Sequence, residues 1–163
     1  EQDVLQNKTG HASTESLEES LNDRPLDVLV AEDDRINRLV LERFLAAQGH
    51  RVVSVTNGRV CLEILEERPF DVILMDIQMP EMDGVEATRH IRGRTDARRD
   101  TPIVALTAHA MKGDRENFLE AGMNAYLSKP VDFKEIQPLL TRVTAGALSE
   151  KGKANHDEYM REN

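Results

Sequence analysis

Short apolar runs alternate with longer amphipathic stretches through most of the chain. Leu26 to Ala31 is apolar apart from Asp27, Arg51 to Val55 is short and β-rich, and Val72-Ile73-Leu74-Met75 is continuously apolar. Pro102-Ile103-Val104-Ala105-Leu106 and the very short Ala125-Tyr126-Leu127 follow. Uninterrupted runs of this length read as strands buried on both faces. Between them, helical spacing recurs. Ile36, Val40 and Phe44 fall at i, i+4 and i+8, supported by Leu39, Leu41 and Leu45, with Gly49 as a stop. After an Asn57-Gly58 turn, Val60, Cys61, Ile64 and Leu65 form a stripe; Val85, Thr88 and Ile91 form another after Gly84. A weaker pattern runs from Met111 to Ala121 and stops at Gly122, and Asp132 can cap a last helix with Phe133, Ile136, Leu140 and Val143 on its apolar face. Five strands alternating with five helices predict an α/β doubly wound sheet, with right-handed crossovers placing helices on both faces. Residues 1–25 are polar and acidic, ending in Asn22-Asp23-Arg24-Pro25, and read as a linker with at most a helical turn at Ser16 to Leu21. The domain is expected over 26–145, followed by a polar, frayed tail over 146–163.

Composition sharpens this. Aromatic residues are 4% of the 163 and Trp is absent, so the core is expected to be aliphatic. A formal net charge of -9 argues against a nucleic-acid partner, which needs a basic face. Cys61 is the sole cysteine; it excludes an intramolecular disulfide, suits a reducing, cytoplasmic compartment and reads as a small inward-facing hydrophobe. No run of roughly 18 apolar residues exists, so no membrane contact by this segment is expected. The start at Glu1 rather than Met reads as a segment of something longer, whose parent can be membrane-anchored. Arg94, Arg98 and Arg99 are expected in a solvated loop, and Lys112 and Arg115 on a solvated helix face.

The chemistry gathers at the strand ends. Glu32 and Asp33 follow the first strand, Asp76 the third, Thr107 the fourth and Lys129 the fifth. In an open parallel sheet these positions share the edge where ligands bind. Three carboxylates brought together raise one another's pKa unless a cation intervenes. Mg²⁺ suits such a set, being a hard ion held by carboxylates, waters and often a phosphate oxygen, with Mn²⁺ as the substitute. Lys129 and Thr107 offer an ammonium and a hydroxyl to phosphate oxygens, and Asp76 is the candidate nucleophile for an aspartyl-phosphate. Asp34 reads as a helix cap or a solvent-facing acid. Two other classes stay open: an Asp-nucleophile phosphatase, although Gln78 stands where such enzymes usually carry a second acid, and a docking module indifferent to phosphate.

Ala31-Glu32-Asp33-Asp34-Arg35-Ile36-Asn37, Leu74-Met75-Asp76-Ile77-Gln78-Met79-Pro80-Glu81-Met82-Asp83-Gly84, Ala105-Leu106-Thr107-Ala108 and Lys129-Pro130 together resemble the motifs of response-regulator receiver domains. The wording around Asp76 and Leu106-Thr107-Ala108-His109-Ala110-Met111 is most similar to receivers attached to hybrid sensor histidine kinases. The resemblance implies a flavodoxin-like (βα)5 fold with strand order 2-1-3-4-5. It implies Asp76 as phospho-acceptor, Glu32 and Asp33 as the Mg²⁺-binding pair, and Gln78 as donor of a backbone carbonyl to the metal. Thr107, Lys129 and Tyr126 would be the switch hydroxyl, the phosphate-pairing lysine and the switch aromatic, and the Lys129-Pro130 bond would be cis. His109, two residues past Thr107, is a candidate modulator of hydrolysis. The implied partner is a histidine kinase or histidine phosphotransfer domain. Such a domain catalyses its own phosphorylation and hydrolysis without a separate substrate, so it is a signalling module more than an enzyme. A stand-alone single-domain response regulator is the alternative to a hybrid kinase, and the sequence leaves dimerisation open.

Overall fold

A computed structural model describes residues 24–109 and 111–145. The linker turn at Ser16 to Leu21 and the tail over 146–163 lie outside the described residues. Strands β1 (Asp27–Ala31), β2 (Arg51–Val55), β3 (Val72–Asp76), β4 (Ile103–Thr107) and β5 (Ala125–Ser128) form one parallel sheet of order β2-β1-β3-β4-β5. Helices α1 (Arg35–Ala47), α2 (Gly58–Glu67), α3 (Gly84–Arg92), α4 (Lys112–Ala121) and α5 (Phe133–Thr144) connect and flank the strands, with a 3₁₀ turn at Ala97–Asp100 before β4. The expected flavodoxin-like architecture is the one observed.

Side chains alternate along each strand, and that alternation builds two cores. Val28, Val30, Val72, Leu74, Val104 and Leu106 meet Leu41 and Leu45 of α1 and Ile136, Leu139 and Leu140 of α5. On the opposite face, Leu29, Ala31, Ile73, Met75, Ile103 and Ala105 meet Cys61 and Leu65 of α2, Ala87 and Ile91 of α3 and Phe118 of α4. Every residue of β3 and β4 is buried, as befits central strands covered on both sides. Cys61 points inward as expected, and burial pushes its thiol up to about 12.

The structure corrects the rotation of α1. The expected stripe of Ile36, Val40 and Phe44 is not the buried face: Leu41 and Leu45 are buried, whereas Ile36 is 67% and Val40 42% exposed. Two adjacent i, i+4 rows compete on this helix, and periodicity cannot choose between them. Its N-terminus chooses, because Asp34 caps it by accepting the Asn37 N–H at 2.8 Å directly after β1. Phe44, half-buried, instead packs on the partly exposed Phe133 of α5 with ring centroids 4.9 Å apart.

The arginine-rich stretch is also more than a solvated loop. Arg98 donates to the Leu65 and Glu66 carbonyls at 2.8 and 2.6 Å, satisfying groups that the end of α2 leaves without intrahelical partners. Arg94 pairs with Asp96. Arg92, a site that sequence patterning missed, donates to the carbonyls of Gly122, Arg99 and Thr101 and to Asn124 Oδ1. It thereby fastens α3 to the turns before β4 and β5.

One close approach fixes where α3 begins. A Cβ on Gly84 would lie 2.2 Å from the Asp76 carbonyl oxygen and 2.9 Å from Met75 Cγ. The helix therefore starts directly against the end of β3, and only glycine fits. Gly84→Ala is expected to destabilise the domain by about 2–3 kcal/mol, read as a lower urea midpoint at unchanged slope.

Candidate functional site

The carboxyl ends of β1, β3, β4 and β5 open onto one cleft lined by Glu32, Asp33, Asp34, Asn37, Asp76, Ile77, Gln78, Thr107, Ala108, His109, Asp114, Phe118 and Lys129. Each strand stops where its apolar run stops, so each delivers its polar residue to the same rim. Asp76 closes β3 and accepts the Gln78 N–H at 3.2 Å through Oδ1. Glu32 follows β1, anchored by its N–H to the Val55 carbonyl at 3.1 Å. Lys129 follows β5, its N–H bonded to the Thr107 carbonyl at 2.7 Å, and the Lys129-Pro130 peptide is cis as expected.

The acids and the lysine meet. Lys129 Nζ lies 2.8 Å from Glu32 Oε2 and 2.9 Å from Asp76 Oδ2. Glu32 is fully buried; its Oε1 accepts the Asp34 N–H at 3.1 Å, while Oε2 has the ion pair but no aligned hydrogen bond. Asp76 is buried and Asp33 exposed. Carboxylate oxygens of Glu32, Asp33 and Asp76 lie within 4.8 Å of one another, close to the ~4.2 Å between opposite ligands of an ion that holds oxygens at ~2.1 Å.

The electrostatics are unfavourable without a further cation. Burial, opposed by Lys129 and reinforced by the Glu32 charge, holds the Asp76 carboxyl above the usual carboxylate range. Burial opposes the charged form of Lys129, yet Glu32 and Asp76 carry its ammonium above the ordinary lysine value. One ammonium faces three carboxylates, and charges this buried are tolerated only when paired. The all-oxygen donor set and the incompletely satisfied Glu32 Oε2 fit a hard divalent cation.

Of the residues expected at the site, Glu32, Asp33, Asp76, Gln78, Thr107, His109 and Lys129 line the cleft. Tyr126 sits on β5 half-buried outside that lining, with the Arg115 guanidinium 5.0 Å from its ring centroid. Arg115 therefore packs on an aromatic face instead of simply extending into solvent. Thr107 is buried, and its Oγ1 donates to the His109 carbonyl at 2.9 Å and accepts the His109 N–H at 3.0 Å. In this state His109 engages the threonine through its backbone, and its own residue is exposed at the cleft. Asn37, Asp114 and Phe118 were missed. Asn37 lies one turn into α1 beside the acidic loop, a signal available in the sequence; nothing in the linear pattern separates Asp114 from solvent-facing acids.

A parallel flavodoxin-like sheet with an acid–lysine cleft at its carboxyl edge is the class that fold and site define. The sequence profile of the response regulator receiver domain matches residues 28–141. The chain is 38% identical over 143 residues to the sensor histidine kinase GacS of Pseudomonas protegens, covering 86% of this chain but 16% of that kinase. It is 43% identical, with a TM-score of 0.69, to the crystal structure of the receiver domain of sensor histidine kinase PA1611 from Pseudomonas aeruginosa PAO1 with a magnesium ion coordinated in the active site cleft. That match covers 75% of this chain and 99% of the other. The Saccharomyces cerevisiae co-crystal structure of the phosphotransfer protein Ypd1 with the receiver domain of Ssk1 matches at 30% identity and a TM-score of 0.68, covering 77% of this chain and 94% of that one. The chain belongs to the response regulator receiver domain family, and phosphorelay signalling is the function that membership carries.

The raised Asp76 carboxyl gives a stability prediction with a definite sign. The unfolded chain loses this proton at lower pH than the folded one, so the group's contribution is full at acid pH and lost as pH rises through the folded value. At neutral pH without divalent ions, Asp76→Asn should melt about 4 °C above wild type, the shift that ~1 kcal/mol gives in a domain of this size. Added Mg²⁺ should raise wild type and erase the difference in a calorimetric scan.

Proposed function

We propose that Asp76 accepts a phosphoryl group from a phosphohistidine and that Glu32, Asp33 and the Gln78 carbonyl, with Asp76, hold Mg²⁺. The observation that carries this reading is the Lys129 ammonium within 2.9 Å of both Glu32 and Asp76 at the mouth of a three-carboxylate cleft. Bound Mg²⁺ would supply neutralisation of the charge on the transferred group. The chain's own residues do the rest. An Asp76 carboxylate oxygen forms the new P–O bond while the P–N bond breaks and its electron pair leaves on the donor imidazole. Lys129 pairs with a phosphoryl oxygen in place of an acid it now neutralises. Thr107 releases the His109 carbonyl and turns its hydroxyl to another phosphoryl oxygen. Tyr126, stacked under Arg115, is the aromatic whose position reports that movement to α4. His109, exposed at the cleft, modulates the approach of hydrolytic water.

The parent is proposed to be a hybrid sensor histidine kinase, supported by the 86% coverage of this chain within GacS. The donor is proposed to be a histidine kinase or phosphotransfer domain, a class to which the Ypd1–Ssk1 pair belongs. A cytoplasmic setting and the absence of a nucleic-acid partner are proposed from the lone buried thiol and the net charge of -9. Among the described residues no helix is long and apolar enough to cross a membrane.

A small phosphodonor such as acetyl phosphate with Mg²⁺ should add one phosphoryl group to wild type by mass spectrometry and none to Asp76→Asn. Lys129→Ala should slow labelling about 100-fold, the usual effect of removing one positioned cation or donor from a developing oxyanion. Equal labelling of Asp76→Asn, or steady turnover of phosphomonoesters, would replace this reading with a phosphatase or a docking module.

A further inference from the structure

Glu32, Asp33 and Asp34 lie between β1 and α1, outside both elements, so their side-chain directions depend on what fixes this short connection. Asp34 contributes from within, accepting the Asn37 N–H and donating its own N–H to Glu32 Oε1. The other tie comes from Arg38, half-buried on the first turns of α1. Its Nη1 donates to the Glu32 carbonyl at 3.0 Å and to the Asp33 carbonyl at 3.3 Å. Long helical side chains lean toward the helix N-terminus, so a residue four positions past the cap lies over the acidic loop. One guanidinium nitrogen thus bridges consecutive carbonyls whose own side chains are two of the three clustered acids.

We infer that Arg38 is a positioning residue for the divalent-cation site, acting through the backbone of Glu32 and Asp33; this rests on the reading of that cluster as a Mg²⁺ site. Asp33 depends on it most. Its side chain is exposed, so its place in the cluster is set by its backbone and not by packing. Groups that hold metal ligands from behind commonly change metal affinity by about 10-fold to 100-fold when removed.

Two physical effects of Arg38 oppose each other. Its positive charge near the acids disfavours a bound cation, so removing charge alone would tighten Mg²⁺ binding. Its hydrogen bonds fix the loop, so removing them weakens binding. The sign of the change therefore separates positioning from simple electrostatics.

Mg²⁺ alone is titrated into the 163-residue protein by isothermal calorimetry, with thermal melts as a check on folding. Arg38→Ala is expected to bind about tenfold more weakly than wild type, and Arg38→Lys, which keeps the charge on a side chain too short to hold its nitrogen over both carbonyls, about threefold more weakly. Labelling by acetyl phosphate should recover in both variants at saturating Mg²⁺, placing the defect in affinity and not in the transfer. Unchanged or tighter binding by Arg38→Ala overturns the inference. If that variant does not fold, Arg38→Lys decides alone: weaker binding upholds the role and wild-type affinity removes it. Failure of wild type itself to bind Mg²⁺ would sink the metal site, and this inference with it.

Discussion

An ammonium held between two buried carboxylates is the interaction on which the rest of the domain depends. Lys129 touches Glu32 and Asp76 at once, yet a third acid, Asp33, stands beside them, so the cleft stays short of positive charge. The deficit is built in, because a structural ion pair of this burial would be better replaced by apolar side chains. Retaining it makes sense where charge is to be delivered. On the proposed reading, a dication and a phosphoryl group would change that sum and give Lys129 and Thr107 a reason to move.

The scaffold makes this meeting possible by keeping its strands dry. β3 and β4 are buried over their whole length, so a polar residue can enter the sequence only where the strand emerges from the helices. In a parallel sheet every strand emerges in the same direction. Side chains from four separate connections therefore arrive at one edge without any connection having to be long. Gly84 tightens the arrangement, because the start of α3 rests on the carbonyl of Asp76, whose carboxyl lies in the cleft.

The apolar run Val72 to Met75, the acid that ends it, and the polar residues closing β1, β4 and β5 could all be placed from the sequence, since burial on two faces leaves a continuous hydrophobic signature. Rotation of a helix does not leave one. Ile36 and Val40 spell the same period as Leu41 and Leu45, and the choice was made by the Asp34 cap and the neighbouring sheet. Long-range polar contacts were equally silent: Arg98 reaching the end of α2, Arg92 bridging the turns before β4 and β5, and Arg115 lying over Tyr126 join residues whose spacing in the chain carries no pattern. Thr107 was placed correctly, but its bonds to the His109 backbone belong to a local turn that composition does not announce.

The burial of the solitary thiol has a practical use. Cys61 is sealed on the inward face of α2 and keeps its proton far above neutrality, so maleimides and spin labels would pass it by. Cysteines introduced at exposed positions would be the thiols such reagents find. Paired probes could then test for the rearrangement proposed on phosphorylation without first stripping the native residue from its core.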